Sequence, residues 1–258
     1  MPETIAIERA AHVVRVRMNR PDVRNSLDAR MIAELTEAFV AFAGDDDLRA
    51  VVLEGAGKMF SGGADVNYMR ASLELGAQEN YKDALRLSDM FKAIDDCPAP
   101  VVARVQTAAL GGGSGLVAVC DIAIADDGAI FGFTEAKLGI VPAVISPFVL
   151  RKIGQGHARA LFPTAERFGA ARAQAIGLVH VVTPLSNLDA AVQTAVDELL
   201  TSGPEAARVA KRIARTVSGL ASQEAREWTA RTIGERRTSA EGQEGLRAFL
   251  DKRTPSWR

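Results

Sequence analysis

Leu110-Gly111-Gly112-Gly113-Ser114-Gly115-Leu116-Val117-Ala118-Val119 lies between two β-type runs, Val101–Val105 and Asp121–Ala125. Pro98-Ala99-Pro100 turns the chain into the first run, and the spacing of the apolar run Leu116–Val119 predicts a helix beginning at the glycines. A helix start exposes unpaired N–H groups at a partially positive end, and glycine lets the backbone approach a ligand closely. A second loop of this kind, Phe60-Ser61-Gly62-Gly63-Ala64-Asp65, lies upstream. If the two converge, each supplies one N–H to a carbonyl oxygen that gains negative charge, which is an oxyanion hole.

Outward from these loops, the first half alternates strands and helices. Ile5–Ile7 and Val13–Met18 read as a hairpin, and Ala50–Leu53 reads as a strand. Leu27–Gly44 has Met31, Leu35, Ala38, Phe39 and Phe42 at helical spacing, and Ser72–Ile94 reads as one largely helical stretch. Ala129–Phe133 is a further short strand. The second half is helical: Ala158–Phe162, Ala170–Ile176, Leu188–Leu200, Glu205–Val217, Gln223–Arg236 and Glu241–Asp251. Thr201-Ser202-Gly203-Pro204 stops one helix and starts the next. The expected class is therefore α/β, with a core over 1–200 and a helical region over 201–258.

Composition narrows the chemistry. With 48% hydrophobic and 24% charged residues, the 258-residue chain has ordinary globular make-up. A net charge of −1 argues against a nucleic-acid protein held by bulk electrostatics. The last 58 residues are locally basic, with 12 Lys/Arg against 7 Asp/Glu. Cys97 and Cys120 form no C-x-x-C pair, and His12, His157 and His180 fit no metal spacing, so neither a metal nor a redox cofactor is expected. Gly113-Ser114-Gly115-Leu116-Val117-Ala118 matches G-x-G-x-x-A but does not come directly off its strand, as a dinucleotide site requires. The N-terminal MPETIAIERA lacks a basic region followed by an apolar run, no segment has the length of a membrane span, and a reducing cytoplasm suits the cysteine usage.

Taken together the segments resemble the enoyl-CoA hydratase/isomerase (crotonase) family, in order and over nearly the whole chain. Asn19-Arg20-Pro21-Asp22-Val23-Arg24-Asn25-Ser26-Leu27 is similar to the family's opening segment, which passes the coenzyme A moiety. Phe60–Asp65 resembles its F-S/A-x-G-A-D loop, Val101–Asp121 its central segment, and Phe131–Pro142 the segment with a catalytic carboxylate. Ser239–Trp257 resembles its C-terminal helix.

The resemblance implies a crotonase-like spiral of repeated ββα units and a C-terminal helical region for trimerisation, giving a homotrimer or a hexamer as a dimer of trimers. It implies oxyanion donors at Ala64 and Gly112, a catalytic carboxylate at Glu135, and a CoA thioester held by Arg24, Ser26, Gly62, Ala64, Asp65, Val66, Asn67 and Gly112. Phe249 and Lys252 would join the site, with Lys252 or Arg253 meeting a CoA phosphate. Coenzyme A would be part of the substrate rather than a cofactor.

Hydratases of this family usually carry a further glutamate where this chain has Gly115. Val141-Pro142-Ala143-Val144-Ile145-Ser146-Pro147-Phe148 is also bulkier than the family's usual glycine-rich segment, and both features resemble bacterial methylglutaconyl-CoA hydratases of leucine and isoprenoid breakdown. The expected activity is a carbon–oxygen lyase acting on a branched enoyl-CoA. The alternatives are a double-bond isomerase using Glu135 alone and a non-catalytic acyl-CoA-binding paralogue.

Overall fold

The computed structural model describes residues 2–258. It begins with the antiparallel hairpin β1 (Ile5–Ala10) and β2 (Val13–Met18), after which the chain climbs in turns. β2 leads to α1 (Ala29–Phe42), and β3 (Ala50–Gly55) leads to α2 (Val66–Ser72) and α3 (Ala77–Asp96). β4 (Val101–Val105) and β5 (Ala108–Leu110) lead to α4 (Gly112–Val119), and β6 (Ile122–Asp126) and β7 (Ile130–Gly132) lead to α5 (Ser146–Thr164). β8 (Arg167–Gly169), α6 (Ala170–Ala175), β9 (Val181–Thr183) and α7 (Leu188–Thr201) come next, followed by α8 (Pro204–Thr216), α9 (Ser222–Thr238) and α10 (Ala240–Leu250).

Each turn feeds two sheets. Six strands pair in the order β1-β2-β3-β4-β6-β9, all parallel beyond the hairpin. The second sheet holds β5-β7-β8, and single bridges Ser61↔Ala109 and Leu27↔Ala64 extend it. Leu27, Ser61–Ala64, β5 and β7 thus occupy equivalent places in four successive turns, after a strand of the large sheet and before a helix. Whatever follows this place in one turn lies beside its counterpart in the next.

Parallel strands covered on both faces read as continuous apolar runs, and β3 is buried along its whole length. α1 turns Met31, Ile32, Leu35, Ala38 and Phe39 inward, and the Asp28 carboxylate caps it by accepting from Met31 N at 2.8 Å.

Three details depart from the sequence reading. The largely helical stretch expected from Ser72 begins only at Ala77, because α2 ends at Ser72 and Gly76 N–H donates to the Glu79 carboxylate ahead of α3. α5 starts well before Ala158 and bends at Gly154 (φ 74°). β5, β8 and β9 have three residues each, too few for an alternation to register.

The helices after residue 200 are anchored through polar contacts. Arg49 donates to Leu200 O, Ser202 O and Trp257 O at 2.6–3.0 Å. Arg208 donates to Asp45 O and Leu48 O, Lys211 pairs with Asp121, and Arg215 pairs with Asp95.

Candidate active site

The two glycine loops abut, and the reason is the missing side chains. A Cβ on Gly63 (φ +94°) would lie 2.7 Å from Leu110 O, and one on Gly113 would lie 2.9 Å from Ser61 O. Leu110 N donates to Ser61 O, and Ser61 N to Ala108 O, both at 3.1 Å. Ser114 Oγ ties the start of α4 to both strands below it, donating to Ala109 O (2.7 Å) and accepting from Gly132 N (3.3 Å). Ala64 N–H and Gly112 N–H, the two donors inferred from sequence, therefore sit at equivalent places in neighbouring turns. Neither has an acceptor among the described residues.

Arg24, Ser26, Gly62, Ala64, Asp65, Val66 and Asn67 line one cleft of about 420 Å³, joined by Asp22, Val23, Met59 and Leu110. Arg24 (φ 60°) and Asn25 (φ 51°) both take left-handed backbone there. Asn25 secures the bend through its own side chain, accepting from Arg20 N and donating to Ala56 O and Met59 O. Arg20, which the sequence reading did not single out, joins the bend before Leu27 to the first glycine loop at Asp65. Its guanidinium donates to Ser26 O and pairs with Asp28 (3.2 Å) and Asp65 (3.0 Å). The Asp65 carboxylate also accepts from Asn67 N and Tyr68 N, capping α2 directly after Ala64. These backbone donors and Arg20 outweigh its burial and hold its pKa below the usual carboxylate range.

Glu135 follows β7 in the next turn. Its Oε1 lies 3.4 Å from where a Gly111 Cβ would stand, one residue before Gly112. Its Oε2 is shut off from solvent and has no protein partner. Burial, which disfavours the charged form, raises the carboxyl pKa. Phe131 and Phe133, on the strand side of Glu135 in sequence, are fully buried, whereas Leu138 and Ile140 after it are 60% and 54% exposed in this chain. They belong to the short turn of helix starting at Glu135 and its exit, which runs outward beyond Gly139.

One turn along α4 from Gly111, Gly115 faces Ile145 and Phe91 rather than a polar group. Phe249 and Lys252, at the end of α10, are not part of the cleft's lining within this chain, and Phe249 is 82% exposed. Cys97 and Cys120 are free, buried thiols with pKa values pushed up to about 11 and about 12 by burial. Among the described residues no helix is long and apolar enough to cross a membrane.

This stacking of loops over a double-sheeted spiral is shared with known proteins. The enoyl-CoA hydratase from Shewanella pealeana superposes with a TM-score of 0.95 at 36% identity, covering 99% of this chain and 96% of that one. Pseudomonas aeruginosa AtuE superposes at 0.96 with 35% identity, covering 99% of each. Enoyl-CoA hydratase AKT6-1 of Alternaria alternata is 34% identical over 210 residues, 80% of this chain and 67% of its own length. The architecture is thus the crotonase fold. The model of the enoyl-CoA hydratase/isomerase family matches residues 8–258, and this chain, an enzyme by that descent, belongs to that family.

Proposed function

We propose that the chain is a hydratase-type lyase that adds water to, or removes it from, a branched enoyl-CoA of the methylglutaconyl-CoA kind. The cleft from Arg24 to Asn67 takes the CoA arm, and the thioester oxygen rests between Ala64 N–H and Gly112 N–H. Negative charge that develops on this oxygen meets two fixed donors that need no reorganisation. Glu135 passes the proton to and from the carbon beside the carbonyl. The carrying observation is the Glu135 carboxyl set against Gly111, with Oε2 buried and unpartnered and the pKa raised by burial, as a proton shuttle requires. With Gly115 in place of a second glutamate, water activation falls to another group, and the distal carboxylate of a methylglutaconyl-type substrate is a fitting one.

Because the cleft lacks Phe249 and Lys252 of its own chain, these residues reach a site from a neighbouring subunit of a trimer or of a hexamer built from two trimers. The reaction moves only protons and water, so turnover should survive exhaustive chelation and the absence of nicotinamide or flavin. We place the enzyme in the cytoplasm, in acyl-CoA breakdown, with acyl-CoA thioesters rather than nucleic acid or membrane as its partners.

A second reading, a double-bond isomerase with Glu135 as sole shuttle, is favoured by the apolar surroundings of Gly115. Turnover in water labelled with heavy oxygen separates the two. Label in the product supports the lyase, and migration of the double bond without label supports the isomerase. Tight NADH binding with no response to any acyl-CoA would overturn both.

A further inference from the structure

Gly111 and Gly115 stand four residues apart, with Gly115 N–H donating to Gly111 O at 3.1 Å, so they share one side of α4 a turn apart. The Glu135 carboxyl covers Gly111. A Cβ built on Gly115 would lie 2.4 Å from Ile145 Cγ2, 3.1 Å from Ile145 Cβ and 3.1 Å from Phe91 Cε1. Ile145 is 3% exposed and Phe91 fully buried, so the space is filled and neither side chain has room to withdraw. Ile145 stands at the entry to α5, where Val149 N and Phe148 N both donate to its carbonyl, and Phe148 packs on Phe91 with ring centroids 6.0 Å apart.

We propose that Ile145, backed by Phe91, is the residue that makes this a one-carboxylate site, by filling with hydrocarbon the place a turn along α4 from Glu135 where a second acid–base group would stand. The proposal rests on the reading of Glu135 as the proton shuttle. It follows that G115E alone cannot restore a second carboxylate, because the plug excludes it. With the plug removed, the carboxylate that G115E introduces would take a proton from water as the water oxygen bonds to the β-carbon. Glu135 would give its proton to the α-carbon, so the net change is addition of one water.

Two measurements test this. The first reads packing alone, through Tm. G115A should lower Tm by roughly 3–10 °C, the usual consequence of overpacking in a domain of this size. In the I145A background the same change should cost clearly less, because the 2.4 Å contact with Cγ2 is gone and only those at 3.1 Å remain. Additive Tm changes, or G115A with an unaltered Tm, would overturn the proposal.

The second reads chemistry in G115E/I145G, checked for native circular dichroism and for acetyl-CoA binding by calorimetry. Hydration of crotonyl-CoA, followed at the enoyl-thioester absorbance, should rise roughly 10²-fold over I145G alone, the lower range for an added general base. A folded, CoA-binding double variant no faster than I145G would also overturn it. If E135Q in the otherwise native chain turns over normally, the reading of Glu135 fails instead, whatever the Tm cycle reports.

Discussion

The spiral and the helices after residue 200 are built on different principles. Through α7 the chain buries hydrocarbon layer on layer, with Phe39, Phe60, Phe91, Phe131 and Phe133 fully enclosed. Beyond α7 the buried apolar residues among those described are Val209 and Ala248 alone, while Leu246, Phe249 and Leu250 are 49–82% exposed. Arginines and a lysine gripping backbone carbonyls and aspartates hold this region in place. Packing that excludes water fixes atoms to fractions of an ångström, which a pair of oxyanion donors demands. Polar tethers orient a surface without sealing it, which suits the face proposed above to meet another subunit.

The sharpest test of the spiral's role is E135Q. The amide keeps size and hydrogen-bonding capacity but carries no transferable proton, so kcat on the true substrate should fall roughly 10²–10⁴-fold with little change in KM. Steady-state kinetics with a panel of enoyl-CoAs checks it, and near-normal turnover would remove Glu135 from the chemistry. G112V comes next. A Cβ there meets the buried Leu27 Cδ1 at 3.1 Å, so Leu27 must give by a few tenths of an ångström, and the branched side chain pushes the thioester oxygen off its donor; native circular dichroism separates this loss from misfolding. Loss of one such donor lowers kcat roughly 10²–10³-fold.

On the other side of the comparison, light scattering at micromolar concentration should report a trimer or hexamer, and F249D/L250D should shift the mass downward while the core keeps its circular dichroism. A monomeric native chain would refute the assembly. R208A should have a smaller effect. It strands the carbonyls of Asp45 and Leu48, at a cost of about 1–3 kcal/mol and a Tm fall of a few degrees.

The smallest effect concerns pH. Burial raises the pKa of Glu135 in the folded chain, so over the interval between its ordinary and raised values the folded state binds more proton than the unfolded. This contribution to stability is fully present below the ordinary glutamate pKa and is lost as pH climbs through the raised one. Tm of E135Q minus Tm of the native chain should therefore grow with pH across that interval, and a flat difference would mean that the carboxyl is not desolvated.

Much of this was legible without coordinates. Strands of the parallel sheet announce themselves as apolar runs because both faces are covered, and α1 and α7 show helical periodicity between clear stops. Glycines and small residues beside an apolar neighbour marked both loops, and the second also leads into an apolar run, because glycine lets backbone approach backbone or ligand. Seven of the residues expected around coenzyme A line one cleft because they are near neighbours in two loops.

What the chain's order could not reveal is what stands opposite what. Gly63 against Leu110, Gly113 against Ser61, and Arg20 reaching Asp65 all join different turns of the spiral, and no local pattern encodes their register. Gly115 read as an absence, the loss of a glutamate. Only the packing of α4 against α3 and the entry to α5 turns that absence into a filled space, because a side chain excludes its neighbours by position in three dimensions, not by distance along the chain.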